Sequence, residues 1–245
     1  MTGSTLYGKG VFTTVRILDK KPFLWEKHWR RLADNAARVG IVLSKHTESS
    51  TKDALRAELV KSGLTHGRAR VTFLDESPGS IWPADGGRRT TLQILTGELR
   101  SIPVPLRLTV SSYPINSRSP LAGVKSCNYL EKIIALDEAK ARGFDEAIQV
   151  NERGLVTSAV MANVFWLKDG LLHTPSLETG CLAGTTREFV LENLDCREVE
   201  AELAELHEAD AIFLTSAGLG VTQVLEFDAR KFYASQHPII DLLAR

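Results

Sequence analysis

The sequence predicts a mixed α/β (α+β) fold in two domains. Three observations carry that expectation. Apolar residues switch repeatedly between a period of two and a period of 3.6, so strands and helices alternate along the chain. Turn-forming residues cluster once near the middle, at Pro114, Asn116, Ser117, Ser119 and Pro120. No Gly-rich turn joins a first strand to a helix, which sets aside a dinucleotide-binding fold. The expected division is a smaller domain over 1–113, a linker over 114–123 and a larger domain over 124–245.

Residues 12–18 read as a strand, 19–21 as a turn and 22–25 as the returning strand of a hairpin. Over 26–39, Trp29, Leu32, Ala36 and Val39 follow helical spacing, and Gly40 is a C-terminal stop. Leu55, Leu59 and Val60 mark a second helix ending near Gly63. Strands are expected over 69–74, 91–96 and 106–113, with a Gly- and Pro-rich loop over 76–89. In the second domain, Leu130, Ile133, Ile134 and Ala141 give a helix one apolar face, and Gly143 closes it. Strands over 146–151 and 155–167 are joined by a turn, and Asp169-Gly170 is a hairpin signal into 171–174. A helix over 186–193 and strands at 212–215 and 221–227 complete the pattern.

Composition narrows the partners. The 245 residues are 43% hydrophobic and 24% charged, as in an ordinary globular protein. Thirty basic and thirty acidic side chains cancel, so no basic surplus points to nucleic acid or an anionic membrane. Small molecules or a second copy of the chain are the expected partners. Cys127, Cys181 and Cys196 show no CxxC spacing, which argues against a disulfide framework or a bound metal and fits a cytoplasmic location. The first residues lack the charged and apolar regions of a signal peptide, and no apolar run is long enough to span a membrane.

One lysine stands out. Lys125 is the only cation in Pro120-Leu121-Ala122-Gly123-Val124-Lys125-Ser126-Cys127-Asn128-Tyr129-Leu130, just before a helix. Apolar surroundings disfavour its charged form and leave a nucleophilic amine, as a Schiff-base lysine needs. Gly184-Thr185-Thr186-Arg187 opens another helix, where backbone amides, hydroxyls and the positive end of the helix dipole can cradle an anion. Thr215-Ser216-Ala217-Gly218 could add donors, and Arg30 and Arg31 offer guanidiniums suited to phosphate. A nucleophilic lysine and a phosphate cradle together suggest pyridoxal 5'-phosphate (PLP).

At these motifs the chain resembles the class IV aminotransferases of PLP fold type IV. The resemblance runs through Tyr7-Gly8-Lys9-Gly10-Val11-Phe12-Thr13-Thr14, His28-Trp29-Arg30-Arg31-Leu32 and the Lys125 segment. It continues through Phe144-Asp145-Glu146-Ala147-Ile148 and Ala162-Asn163-Val164-Phe165 to Leu182-Ala183-Gly184-Thr185-Thr186-Arg187. It implies two α/β domains with the cofactor in the crevice between them, and a homodimer. It implies that Lys125 forms the Schiff base and moves protons, and that Arg31, Thr185 and Thr186 hold the phosphate, with Ser216 or the Ala217 amide assisting. Tyr129 would bond the cofactor's phenolate, and Asn163 would hold its strand or serve the site. Tyr7, Lys9 and Arg118 are candidates for gripping a substrate carboxylate.

The resemblance also shows departures. Where the family usually has a glutamate paired with the pyridine nitrogen, this chain has Ser158, with Thr157 the alternative hydroxyl if the register differs by one. A hydroxyl leaves the nitrogen largely neutral and the ring a weaker electron sink. Lys9 and Thr13 stand where relatives often have acidic residues. The expected function is amino transfer between an amino acid or primary amine and an oxo acid. The alternative is 4-amino-4-deoxychorismate lyase chemistry, releasing pyruvate and 4-aminobenzoate. A further alternative is a PLP-binding protein without catalysis.

Overall fold

A computed structural model describes residues 1–78, 89–99 and 101–243. Residues 79–88 of the expected loop lie outside the described residues. The chain divides into two units, Met1–Arg100 with Val124–Tyr129, and Ser101–Gly123 with Leu130–Arg245. The bounds differ from the expected ones twice: residues 101–113 group with the second unit, where 108–110 pair with 146–148, and the Lys125 segment groups with the first. The cause is backbone pairing. Phe12 N donates to Lys125 O at 3.0 Å, Cys127 N donates to Gly10 O at 2.8 Å, and Val124 packs on the first unit's core.

The first unit runs α1 (Gly3–Tyr7), β1 (Gly10–Leu18), β2 (Lys21–Pro22), α2 (Trp25–Arg38), α3 (Glu48–Ser62), β3 (Gly67–Asp75) and β4 (Thr90–Gly97). Its sheet has the order β2-β1-β3-β4, all antiparallel. Val11, Val15 and Ile17 of β1 and Ala69, Val71 and Phe73 of β3 face α2 and α3, burying Trp25, Leu32, Ala36, Leu55 and Leu59. Each large side chain so buried contributes about 1.5–3 kcal/mol. The spacing read for α2 holds, with Trp29 and Val39 partly buried against this core. In α3, Thr47 and Ser50 form a reciprocal cap at the start, and Gly63 takes the left-handed conformation (φ 69°) at the end. Val60 is a correction: it is 81% exposed, and the buried stripe is Thr51, Leu55 and Leu59.

The second unit contains β5 (Arg107–Val110), α4 (Leu130–Ala141), β6 (Glu146–Val150), β7 (Val156–Ala159), β8 (Asn163–Lys168) and β9 (Leu171–Pro175). These are followed by α5 (Thr185–Asn193), β10 (Cys196–Val199), α6 (Leu203–Glu208), β11 (Ala211–Ser216), β12 (Gly220–Val224), β13 (Glu226–Phe227) and β14 (Arg230–Lys231). Two five-stranded sheets form, ordered β10-β9-β8-β11-β12 and β14-β13-β5-β6-β7. Leu108, Ile148 and Ala159 of the second pack against Val164, Trp166, Ile212, Leu214 and Val224 of the first. The expected single strand over 155–167 is therefore two, because β7 and β8 belong to different sheets and the chain must bend between them. Another correction concerns α4. Leu130, Ile133 and Ile134 are 70%, 44% and 46% exposed, and the buried stripe is Ala135, Leu136 and Ala139 against Ala147 and Val160. Among the described residues no helix is long and apolar enough to cross a membrane.

Candidate functional site

In the first unit, residues 125–127 extend the β1 edge as an added strand, with Ser126 opposite Val11. Side chains alternate along paired strands, so Ser126 shares the buried face with Val11, while Lys125 and Cys127 share the other face with Phe12. The Lys125 ammonium lies 4.6 Å from the Phe12 ring centre and donates to the Tyr129 hydroxyl at 3.0 Å. Phe12 and Tyr129 meet edge to face at 5.1 Å. The setting is aromatic and half-buried. On the same sheet face Arg70, opposite Thr14 in register, lays its guanidinium 3.5 Å over the Phe12 ring. Sequence reading missed Arg70, whose only signal was its place in an alternating strand.

Beneath Lys125's neighbour Phe12, on the buried face, Thr13 connects two residues of α2. Its hydroxyl lies 2.6 Å from His28 Nδ1 and accepts from Arg31 Nη2 at 2.9 Å. Burial holds His28 well below the usual histidine range, and the charges of Arg31 and Lys125 push it further the same way. A neutral imidazole can accept the Thr13 proton while Thr13 accepts from Arg31, so the three groups satisfy one another with one proton order. Thr13 thus aims Arg31. A testable consequence follows for stability. An unfolded chain protonates His28 near 6.5 and the folded chain far lower, so the unfolded state takes up the proton first and stability falls as pH drops below 6.5. His28→Asn is expected to flatten that acid limb in urea-denaturation midpoints measured between pH 7 and 5.

In the second unit, Thr185 and Thr186 form the first turn of α5, each 4% exposed. Gly184 is the N-cap residue and offers no side-chain cap. Glycine is required here by space: a Cβ at 184 would lie 1.9 Å from Asn163 Oδ1. Asn163 in turn donates to Leu182 O at 2.8 Å, which ties the approach to α5 onto β8. Thr215 stands opposite Asn163 in the β8–β11 register and so shares its face. Its hydroxyl is fully buried and has no hydrogen-bond partner among the described residues. Ser216 accepts from Leu219 N at 3.1 Å, shaping the turn that carries Ala217. Arg187, 3% exposed, donates to Pro175 O at 2.8 Å and to Glu198 at 2.5 Å, fastening α5 to β9 and β10.

Residues 10–227 match the family described as Amino-transferase class IV. The chain belongs to the class IV aminotransferase family. It is 30% identical over 240 residues to the "Putative branched-chain-amino-acid aminotransferase" of Methanocaldococcus jannaschii, covering 92% of this chain and 81% of that one. It is 30% identical over 226 residues to the aminodeoxychorismate lyase of Bacillus subtilis, covering 88% and 76%. The crystal structure of the "Putative 4-amino-4-deoxychorismate lyase" from Legionella pneumophila superposes with a TM-score of 0.90 at 32% identity, covering 98% of this chain and 91% of that one. The mixed α/β architecture is that of fold type IV.

Class IV aminotransferases work with PLP, and the residues here fit such a group. A helix start whose N-cap residue offers no side chain, a glycine that admits no Cβ and a buried hydroxyl without a partner among the described residues suit a phosphate. A half-buried amine against aromatic rings suits an aldehyde. The other expected residues are less concentrated. Lys9 is paired with Asp75 at 2.7 Å, and Tyr7 is 39% exposed at the end of α1. Arg118 is exposed in a turn where its amide meets Asn116 Oδ1 at 2.9 Å. Ser158 is buried on β7, opposite Gln149 of β6. Thr157 is held by the Gln149 carbonyl at 2.9 Å, which leaves Ser158 as the available hydroxyl.

Proposed function

We propose that this class IV chain is a PLP-dependent lyase that releases pyruvate from 4-amino-4-deoxychorismate and leaves 4-aminobenzoate. The observation that carries the reading is Ser158, a buried hydroxyl paired across the strands with Gln149, while the Glu146 carboxylate is engaged by the amides of Ala147 and Met161. Bound PLP would supply an electron-withdrawing ring that stabilises negative charge on the carbon bearing the amino group. A ring without a carboxylate partner supplies less of that stabilisation. Elimination tolerates the deficit better than amino transfer, because charge leaves with the C–O bond as the product becomes aromatic. The similarity to the aminodeoxychorismate lyase of Bacillus subtilis and to the "Putative 4-amino-4-deoxychorismate lyase" of Legionella pneumophila supports the same choice.

In this reading Lys125 would hold the cofactor's aldehyde and, once the substrate amine has displaced it, its freed amine would take the proton from the amino-bearing carbon, with Tyr129 orienting it. Arg31, aimed by Thr13, and the amides and hydroxyls of Thr185 and Thr186 bind phosphate, with Thr215, Ser216 or the Ala217 amide completing the donor set. Arg70 is assigned a substrate carboxylate, since its planar guanidinium shares the Lys125 face and Lys9 is already paired with Asp75. Tyr7 and Arg118 are secondary candidates. A homodimer in the cytoplasm is the expected setting, and light scattering tests the first part. The second reading is amino transfer, favoured by 30% identity to the Methanocaldococcus jannaschii protein. The deciding experiment adds 4-amino-4-deoxychorismate, and separately a panel of D- and L-amino acids, to PLP-loaded protein. Stoichiometric 4-aminobenzoate and pyruvate with the cofactor still in its aldehyde form is expected. Rapid conversion to pyridoxamine phosphate by an amino acid, with no 4-aminobenzoate formed, would overturn the lyase reading in favour of the second.

A further inference from the structure

Helix α4 lays a half-buried lysine, Lys132, beside the strand pair that carries Ser158. The Lys132 ammonium donates to Gln149 Oε1. Gln149, 3% exposed, is the direct cross-strand partner of Ser158, 6% exposed. Partners in an antiparallel pair point to the same side, with Cβ atoms about 5 Å apart. That side is the one α4 covers, through Ala135, Leu136 and Ala139 on Ala147. The groups facing Lys132 besides Gln149 are Glu146, Glu131 and Cys181. Burial pushes Lys132 down to about 8 and Glu146 up to about 7, as for groups set in a poorly hydrated interior.

The order of donors along this row has a direction. An ammonium can only donate, so Gln149 must turn its oxygen to Lys132 and its NH2 the other way. The register places that NH2 and the Ser158 hydroxyl on one side; with the NH2 donating to it, the Ser158 oxygen is an acceptor and the hydroxyl proton points onward. We infer that Lys132 and Gln149 are positioning residues that set Ser158 as a hydrogen-bond donor and so select the unprotonated form of the cofactor's pyridine nitrogen. The inference rests on the PLP reading above and explains how the chain manages without the carboxylate.

Gln149→Glu tests the polarity with almost no change of shape. A carboxylate at 149 accepts from both Lys132 and Ser158, which turns the Ser158 lone pairs onward and favours a protonated ring. The measurement is the 15N resonance of ring-labelled PLP bound to purified wild-type protein, Gln149→Glu and Lys132→Met, with thermal unfolding to confirm that each variant folds. The expected result is an unprotonated nitrogen in wild type, a shift to the protonated position in Gln149→Glu, and a smaller shift the same way in Lys132→Met. A protonated nitrogen in wild type overturns the inference while leaving the PLP reading intact. So does an unmoved resonance in whichever variant folds. Protein that takes up no PLP overturns the inference and the functional reading together.

Discussion

Lys125→Ala is expected to remove turnover while leaving the first unit folded. The amine is the nucleophile and the proton carrier in one, so its loss should lower the rate by roughly 10³-fold or more. Its structural part is smaller. The segment is held to β1 by backbone bonds at 3.0 and 2.8 Å, which a side-chain change leaves in place. What disappears is the contact with the Phe12 ring and the bond to Tyr129. A cation over an aromatic face at a half-exposed site is worth only about 0.5–1 kcal/mol, so unfolding midpoints should move little. The visible absorbance of the lysine-bound aldehyde should vanish, and added primary amine should restore part of the rate. Full activity in Lys125→Ala would remove this residue from the chemistry and overturn both enzyme readings that rest on it.

The sequence revealed local features better than those created by pairing. Helix α2 was legible because its apolar spacing coincides with the face it buries on β1 and β3. In α4 the same kind of pattern misled. Leu130, Ile133 and Ile134 look like a core stripe, but the small Ala135 and Ala139 let the helix lie close on Ala147. Periodicity shows that faces differ and does not say which one the sheet meets. The Lys125 and Gly184–Arg187 motifs could be read as chemistry because their residues are adjacent in sequence. Arg70 could not, since only the β1–β3 register brings it over Phe12, 58 positions away. His28 was hidden for a similar reason: its importance depends on Thr13, contributed from a strand, and on burial that no local window reveals. The Lys132–Gln149 bond joins a helix to a strand, and its place beside Ser158 emerges only once β6 and β7 are paired.

Gly184→Ala should have the second large effect, and its cause is steric alone. The backbone at 184 has φ −70° and ψ 138°, which alanine adopts readily, so no conformational penalty applies. The added methyl would instead fall 1.9 Å from Asn163 Oδ1. Asn163 can yield only by giving up its bond to Leu182 O or by pushing the start of α5 outward. Forced overpacking of this kind costs about 1–3 kcal/mol in stability. A displaced first turn would also misaim the Thr185 and Thr186 amides, so phosphate affinity should fall together with the unfolding midpoint. The second substitution separates the two consequences. Asn163→Ala removes the obstacle, and in the double variant the alanine at 184 should cost far less than it does alone. Such a coupling is expected only between groups in contact. Equal losses from Gly184→Ala with and without Asn163 would mean that some other part of the α5 entrance requires the glycine, and the cradle geometry would need a different account.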